Sequence, residues 1–391
     1  MKNVHIGIVG YGNIGSAHAH CILSGTISGL KLTAICDIDE NKLCVAQKAA
    51  PTVDLFSSYK EMIVSGVVDA VLICTPHYLH PQIAIFAFEK GLHVLTEKPA
   101  GVYTLQVEKM NTAARRAGTV YGIMFNQRAN SLYRQARELI KSGRLGQTKR
   151  LAWIITNWYR TQAYYDSGDW RATWSGEGGG VLMNQAPHNL DLWQWMFGMP
   201  ARLRAVCNVG KYHNIEVEDE AAIYAEYENG ATATFLTSTG EYPGTNRLEI
   251  TGDSGKIVIE HGILHFWELS MSERTYCFDK NNSVTEPEIK HQELSPQQHE
   301  NAHAYILQNF TDSILKGTGL LAPGYDGLNE LSIANAAYLS AWTDQWVSLP
   351  VDGHLFLEQL KNQVEQSDKK NKITNCNIPS GKYSSRWDIH W

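Results

Sequence analysis

The feature that most constrains this chain is six residues long. Gly10-Tyr11-Gly12-Asn13-Ile14-Gly15 follows directly on the apolar run Val4–Val9 and opens a stretch of helical spacing. A strand turning this abruptly into a helix needs one glycine for the tight turn and a second where backbone must approach a ligand closely. The third lets the helix pack on the strand. The helix start presents N–H donors and positive potential, which suit a pyrophosphate. Gly10, Gly12, Asn13 and Ile14 are therefore candidate cofactor contacts. Asp37 ends the next apolar run, 22 residues after Gly15. Its carboxylate can accept from an adenosine ribose and would repel a 2′-phosphate. No Arg follows it closely, so NAD is expected rather than NADP. A purely structural glycine turn with a solvated Asp is the alternative reading.

The runs Val4–Val9, Leu32–Cys36, Ala70–Cys74, His93–Thr96 and Val120–Phe125 are separated by helix-like segments. Fully apolar strands alternating with helices indicate a parallel sheet covered on both faces, and right-handed crossovers make it doubly wound. Near residue 150 the pattern changes. Leu151–Trp158, Leu203–Val209, Ala221–Tyr227, Ala231–Thr237, Leu248–Thr251 and Ile257–Glu260 read as strands, joined by turns such as Asn229-Gly230 and Gly252–Gly255. The expected fold class is α/β: a Rossmann domain over 1–127, then an α/β domain with a mostly antiparallel sheet over 128–367. Helices are expected at about 298–316 and 328–346, and 368–391 reads as a polar tail or arm.

Composition sets outer limits. The chain has 391 residues, 43% apolar and 19% charged, with 34 basic and 40 acidic side chains for a net charge of −6. That describes a folded chain, and without a Lys/Arg block neither nucleic acid nor a membrane is an expected partner. No apolar stretch is long enough to span a bilayer, and the N-terminus reads as a strand entering a turn rather than a signal peptide. Seven cysteines, none in a CxxC pair, argue against a disulfide framework or a zinc site and point to a reducing cytoplasm.

Two further motifs carry chemistry. Glu97-Lys98-Pro99 closes the run His93–Thr96. Strand ends of this kind face the cofactor crevice, where a lysine of lowered pKa can move a substrate proton. A surface lysine in a proline turn is the equal alternative. Gly178-Gly179-Gly180 precedes a segment containing Asn184, Pro187, His188 and Asp191. Proline fits a helix only in its first turn, so a helix is expected from near Asn184. Helical spacing then puts Asn184, His188 and Asp191 on one polar face, with His188 able to exchange a proton near neutrality. An Asn184 cap with solvated His188 and Asp191 is the alternative. His77 and His80 lack a nearby carboxylate or Cys to complete a ligand set, so they are expected near the nicotinamide and no metal is expected.

Together these residues resemble the Gfo/Idh/MocA family, the relatives of glucose–fructose oxidoreductase and inositol dehydrogenase. The resemblance runs from Gly10–Gly15 through Cys74-Thr75-Pro76 and His80, Glu97-Lys98-Pro99 and Gly178–Asp191 to Ser340 and Val347-Ser348-Leu349-Pro350. It implies a Rossmann domain, a second domain with a large open sheet that mediates homodimer or homotetramer formation, and a catalytic Lys98. The family's usual Asp and His fall on Asn184 and His188. Asn184 departs from the common Asp: an amide orients a hydroxyl but cannot take its proton. The remaining expected cofactor contacts are Thr75, Pro76, Glu97, Asn126, Trp170 and Arg171. Trp158-Tyr159-Arg160 and the aromatic loop Tyr164–Trp174 suit the flat face and hydroxyl rim of a sugar, or a packed aromatic cluster. Expected substrate contacts are Lys98, Arg128, Tyr159, Arg160, Asn184 and His188.

The resulting expectation is an NAD-dependent dehydrogenase. It would oxidise a secondary hydroxyl of a sugar, glycoside or anhydrosugar, with Lys98, His188 and Asn184 at the reacting centre. A cyclic-polyol dehydrogenase, an NAD-assisted glycosidase without net redox change, and a cofactor-sensing regulator are the alternatives.

Overall fold

The structure is a computed structural model that describes residues 3–281, 285–296 and 301–367. Its first sheet contains β1 (Val4–Val9), β2 (Leu30–Cys36), β3 (Asp54–Phe56), β4 (Ala70–Ile73), β5 (His93–Thr96) and β6 (Tyr121–Ile123). They are all parallel, in the order β3-β2-β1-β4-β5-β6. All four residues of β4 are buried, as an inner strand covered by helices on both faces requires. The chain leaves β1 on one side and returns at β4 on the other, and this reversal opens a crevice beyond the carboxyl ends of the strands. Gly10, Asp37, Thr75 and Lys98 all stand just past such ends. The short β3 was not anticipated, because three residues give no readable period.

The second sheet contains β7 (Thr148–Ile155), β8 (Arg202–Val209), β9 (Glu218–Glu226), β10 (Thr232–Ser238), β11 (Asn246–Gly252), β12 (Gly255–Glu260), β13 (Ile263–Leu269), β14 (Ile289–Leu294) and β15 (Val347–Ser348). Their order is β14-β13-β12-β11-β7-β10-β9-β8-β15. Every pair is antiparallel except β7 with β10. Strand alternation sends Trp153, Ile223, Phe235 and Leu248 into the core. There Trp193 stacks on Phe235 at 5.9 Å, and the helix Gly327–Thr343 packs on β8. Strands β13, β14 and β15 extend the sheet beyond the six strands read from sequence. Between its end residues Ile289 and Leu294, strand β14 is the polar and exposed run Lys290–Glu293, so it carries no hydrophobic alternation.

Three expectations about helices are refined. The helix expected from Asn184 is two: Val181–Asn184, then Pro187–Phe197 with Pro187 in the first turn. The helix expected at 298–316 is described from Ala302, where Asn301 Oδ1 accepts from the His303 and Ala304 N–H groups. That expected at 328–346 runs Gly327–Thr343. The tail 368–391 lies outside the described residues. Among the described residues, no helix is long and apolar enough to cross a membrane, and Cys21, Cys36, Cys44, Cys74, Cys207 and Cys277 carry free thiols.

Candidate active site

A cleft of about 1080 Å³ runs from the glycine turn to the Gly178–His188 segment. At one end Gly10 adopts φ +95°, and a Cβ there would stand 2.7 Å from the Cys74 carbonyl oxygen. A Cβ on Gly15 would stand 1.9 Å from the Gly10 oxygen. Only glycine allows this closeness. No side chain caps the helix Asn13–Leu23, so its first N–H groups remain available to an anion. Asp37 is buried. Its carboxylate accepts from the N–H groups of Tyr11 (2.7 Å) and Asp39 (2.9 Å), with Lys42 at 3.6 Å. An open helix terminus, a close-packed glycine turn and a fixed carboxylate beyond it fit a dinucleotide.

The other end gathers the chemical groups. Lys98 Nζ donates to the Asn184 carbonyl oxygen at 2.7 Å. Burial pushes the Lys98 ammonium below its ordinary pKa, against the opposing pull of Glu97, Glu177 and Glu330. Behind it, Glu97 Oε1 meets His18 Nε2 at 2.7 Å. Burial alone would raise the Glu97 carboxyl, but His18, His303 and Lys98 hold it down to about 2. His188 is buried beside them, and its Nδ1 has no hydrogen-bond partner among the described residues. Burial and then the Lys98 charge push it well below its ordinary pKa. The neutral ring is thus favoured near pH 7, where the sequence alone suggested a histidine able to exchange a proton.

His77 Nδ1 lies 2.9 Å from the Glu177 carbonyl oxygen. His80 has a carbonyl oxygen on each ring nitrogen, Pro99 at 2.8 Å and Thr75 at 2.7 Å. These contacts fix the two rings as braces of the loop. Trp170 packs edge-on to His77 at 5.7 Å. Arg171 lies over Trp170 and Tyr164, donates to the Tyr164 hydroxyl at 2.8 Å, and stands 3.9 Å from Glu177. Arg160 lies over Trp158 and Tyr164 and donates to the Trp158 and Tyr159 carbonyl oxygens. Asn126 also lines the cleft.

The structure brings together all of the expected contacts except two. Arg128 does not line the cleft. It is buried in a fork to Asp191 (2.6 and 2.8 Å) and also donates to Asp326 at 2.7 Å. Asp191, expected on a polar cleft face, is likewise consumed by this pair. Tyr159 also lies outside the cleft, 46% exposed and 5.8 Å from the Tyr242 ring. The alternation of an extended segment turns its neighbours Trp158 and Arg160 inward instead. Sequence reasoning missed Glu177, His18 and His303. Glu177 immediately precedes the glycine run, and that proximity was the only local clue to it.

Residues 4–125 match the model of an oxidoreductase family with an NAD-binding Rossmann fold, and residues 133–258 match the GFO/IDH/MocA C-terminal domain. D-glucoside 3-dehydrogenase of Escherichia coli is 24% identical over 364 residues, 88% of this chain and 97% of that one. An uncharacterized oxidoreductase, YdgJ of Escherichia coli, is 29% identical over 201 residues, 51% of this chain but only 56% of its own length. The WlbA dehydrogenase of Bordetella pertussis, solved with NADH and UDP-GlcNAcA, is 26% identical with a TM-score of 0.76. That superposition covers 90% of this chain and 100% of the other.

Proposed function

Because the chain belongs to the Gfo/Idh/MocA family of NAD-binding oxidoreductases, we propose that it is a dehydrogenase of a secondary hydroxyl on a sugar, glycoside or anhydrosugar. The observation that carries this reading is one cleft holding both the glycine turn and the Lys98–Asn184–His188 group. Bound NAD⁺ supplies the hydride acceptor. Lys98, lowered in pKa by burial, takes the hydroxyl proton at Nζ. The neutral His188 ring lines the cleft beside Lys98, its buried Nδ1 without a hydrogen-bond partner among the described residues, and would share in passing that proton on. Asn184 orients the hydroxyl, while Trp158, Tyr164 and Arg160 offer a flat face and a cationic rim to the ring. With the domain boundary at 127/128, the cofactor rests on the first unit and most of the substrate contacts on the second. The likeness to D-glucoside 3-dehydrogenase supports a glycoside oxidised at C3.

The test is NADH formation by the purified protein with NAD⁺, across glycosides, anhydrosugars, free hexoses and inositols. A strong signal confined to glycosides or anhydrosugars is the expected result. Signal on inositols alone would move the substrate class to cyclic polyols. Aglycone release without net NADH would identify an NAD-assisted glycosidase. No turnover despite tight NADH binding would leave a cofactor sensor.

A further inference from the structure

The side chain of Glu177 stands behind the cleft wall, 2% exposed. Oε2 accepts the Ala172 N–H at 2.6 Å, while Oε1 accepts the Asn184 amide NH₂ and faces Arg171 at 3.9 Å. Asn184 itself lines the cleft, and its backbone carbonyl receives Lys98 Nζ. A carboxylate can only accept hydrogen bonds, whereas an amide has one accepting and one donating end. With its NH₂ turned to Glu177, Asn184 has its carbonyl end turned the other way.

We propose that Glu177 is a positioning residue that locks the Asn184 amide so that Oδ1 alone faces the cleft, as the acceptor for the reacting hydroxyl. This rests on the dehydrogenase reading above. The negative charge that many family members carry at the position of Asn184 is here set one hydrogen bond further back, on Glu177. Asn184 then selects for a hydroxyl that donates, without itself competing for the proton. The hydroxyl proton is left to Lys98 and His188.

The pair can be exchanged. In Glu177→Gln the single side-chain oxygen stays on the Ala172 N–H, because an NH₂ there would face another donor. The new NH₂ then meets Asn184 and turns its amide over, presenting a donor to the hydroxyl. In Asn184→Asp a half-buried carboxylate faces the buried one of Glu177. In the double variant, which combines Glu177→Gln with Asn184→Asp, amide and carboxylate have traded places. The carboxylate at position 184 accepts from the amide at position 177 and again shows the cleft an acceptor.

Both readouts are taken on the full-length protein with NADH bound or NAD⁺ saturating. Each single variant is expected to lower kcat/KM for the substrate found above by about ten- to a hundredfold, the scale of a lost hydrogen bond to a charged group. Each also lowers the melting temperature. The double variant should regain the wild-type melting temperature and come within about threefold of wild-type kcat/KM, since the lost hydrogen bond is restored. It carries the test even where a single variant fails to fold. No regain of stability in the double variant overturns the pairing. Regained stability without regained activity overturns the role of Oδ1, as does full activity of Asn184→Asp alone. A wild type inactive on every sugar instead overturns the dehydrogenase reading, and this inference falls with it.

Discussion

At the scale of single residues the site is a problem of where protons rest. Lys98 is half-buried among carboxylates, and the two influences oppose each other: burial favours the neutral amine, while Glu97, Glu177 and Glu330 favour the ammonium. Burial wins, so the neutral base is populated at lower pH than for a free lysine. Oxidation of the hydroxyl needs that neutral form, so kcat/KM should rise with pH along a limb centred below the ordinary lysine value. The reverse reduction should fall along the same limb. Lys98→Ala should erase the limb and lower kcat by about a hundredfold or more, the scale of general acid–base catalysis, with NADH affinity nearly unchanged. Glu97→Gln should move the limb to still lower pH, because one charge that holds the proton on Lys98 is gone. A pH profile for Lys98→Ala superimposable on wild type would remove Lys98 from the proton path. Lys98 and His188 were legible because each lies in a short motif, though motif and spacing alone left a surface lysine and a solvated histidine equally open and the family resemblance decided between them. Glu177 was not legible, since a glutamate before a glycine run is an ordinary loop residue until the fold buries it. The same holds for His303, brought to Glu97 and Asn126 from a helix about two hundred residues away.

At the scale of elements, the side chain expected to touch substrate does something else. Arg128 sits on the short helical turn Asn126–Ala129 and ties it to the helix Pro187–Phe197 through Asp191. Through Asp326 it also holds the turn Gly324–Asp326. Arg128 and Asp191 are each 1% exposed, so removing the cation leaves a buried carboxylate with its partner gone. Arg128→Met should therefore lower unfolding free energy by about 3–5 kcal/mol, as breakage of a buried pair does, measured by urea denaturation with NADH present. KM at permissive temperature should change little. The opposite pattern, intact stability with a large rise in KM, would restore Arg128 to the substrate site. Sequence could not separate these outcomes. An Arg after a strand end is compatible with either, and the decision rests on Asp191 and Asp326, at separations of 63 and 198 residues. The break between Val181–Asn184 and Pro187–Phe197 was half legible. Proline signalled the first turn of a helix, expected from near Asn184 where it begins at Pro187, but the short helix before it is held by Glu218, whose carboxylate accepts from the Gly180 and Leu182 N–H groups. That glutamate comes from a distant strand.

At the scale of the whole molecule, the two sheets were legible in kind and less so in extent. Apolar runs identified the parallel sheet, because inner strands need no polar face. The second sheet emerged from its alternation, and that same alternation leaves one face to be accounted for. Strand register aligns Val206 with Ala222, Ala222 with Leu236, and Leu236 with Ile154. These four form an apolar row across β8, β9, β10 and β7 on the side away from Trp153 and Phe235. Val206 is 58% and Ile154 42% exposed, and Tyr224 in the next row is 40% exposed. Beyond the row lie ion pairs, Arg202 with Glu226 and Arg247 with Glu249 and Glu260. A contiguous apolar strip with a charged rim has the anatomy of an interface core. Two copies packed face to face would bury the row against itself, as two-fold symmetry allows. A carboxylate at its centre, Leu236→Glu, would then place two like charges together in a desolvated seam. Sedimentation velocity should show wild type as a dimer or tetramer, and Leu236→Glu shifted to monomer at micromolar concentration with its NADH affinity retained. A wild-type monomer at the same concentration, or a variant that assembles unchanged, would mean that this face is not the contact.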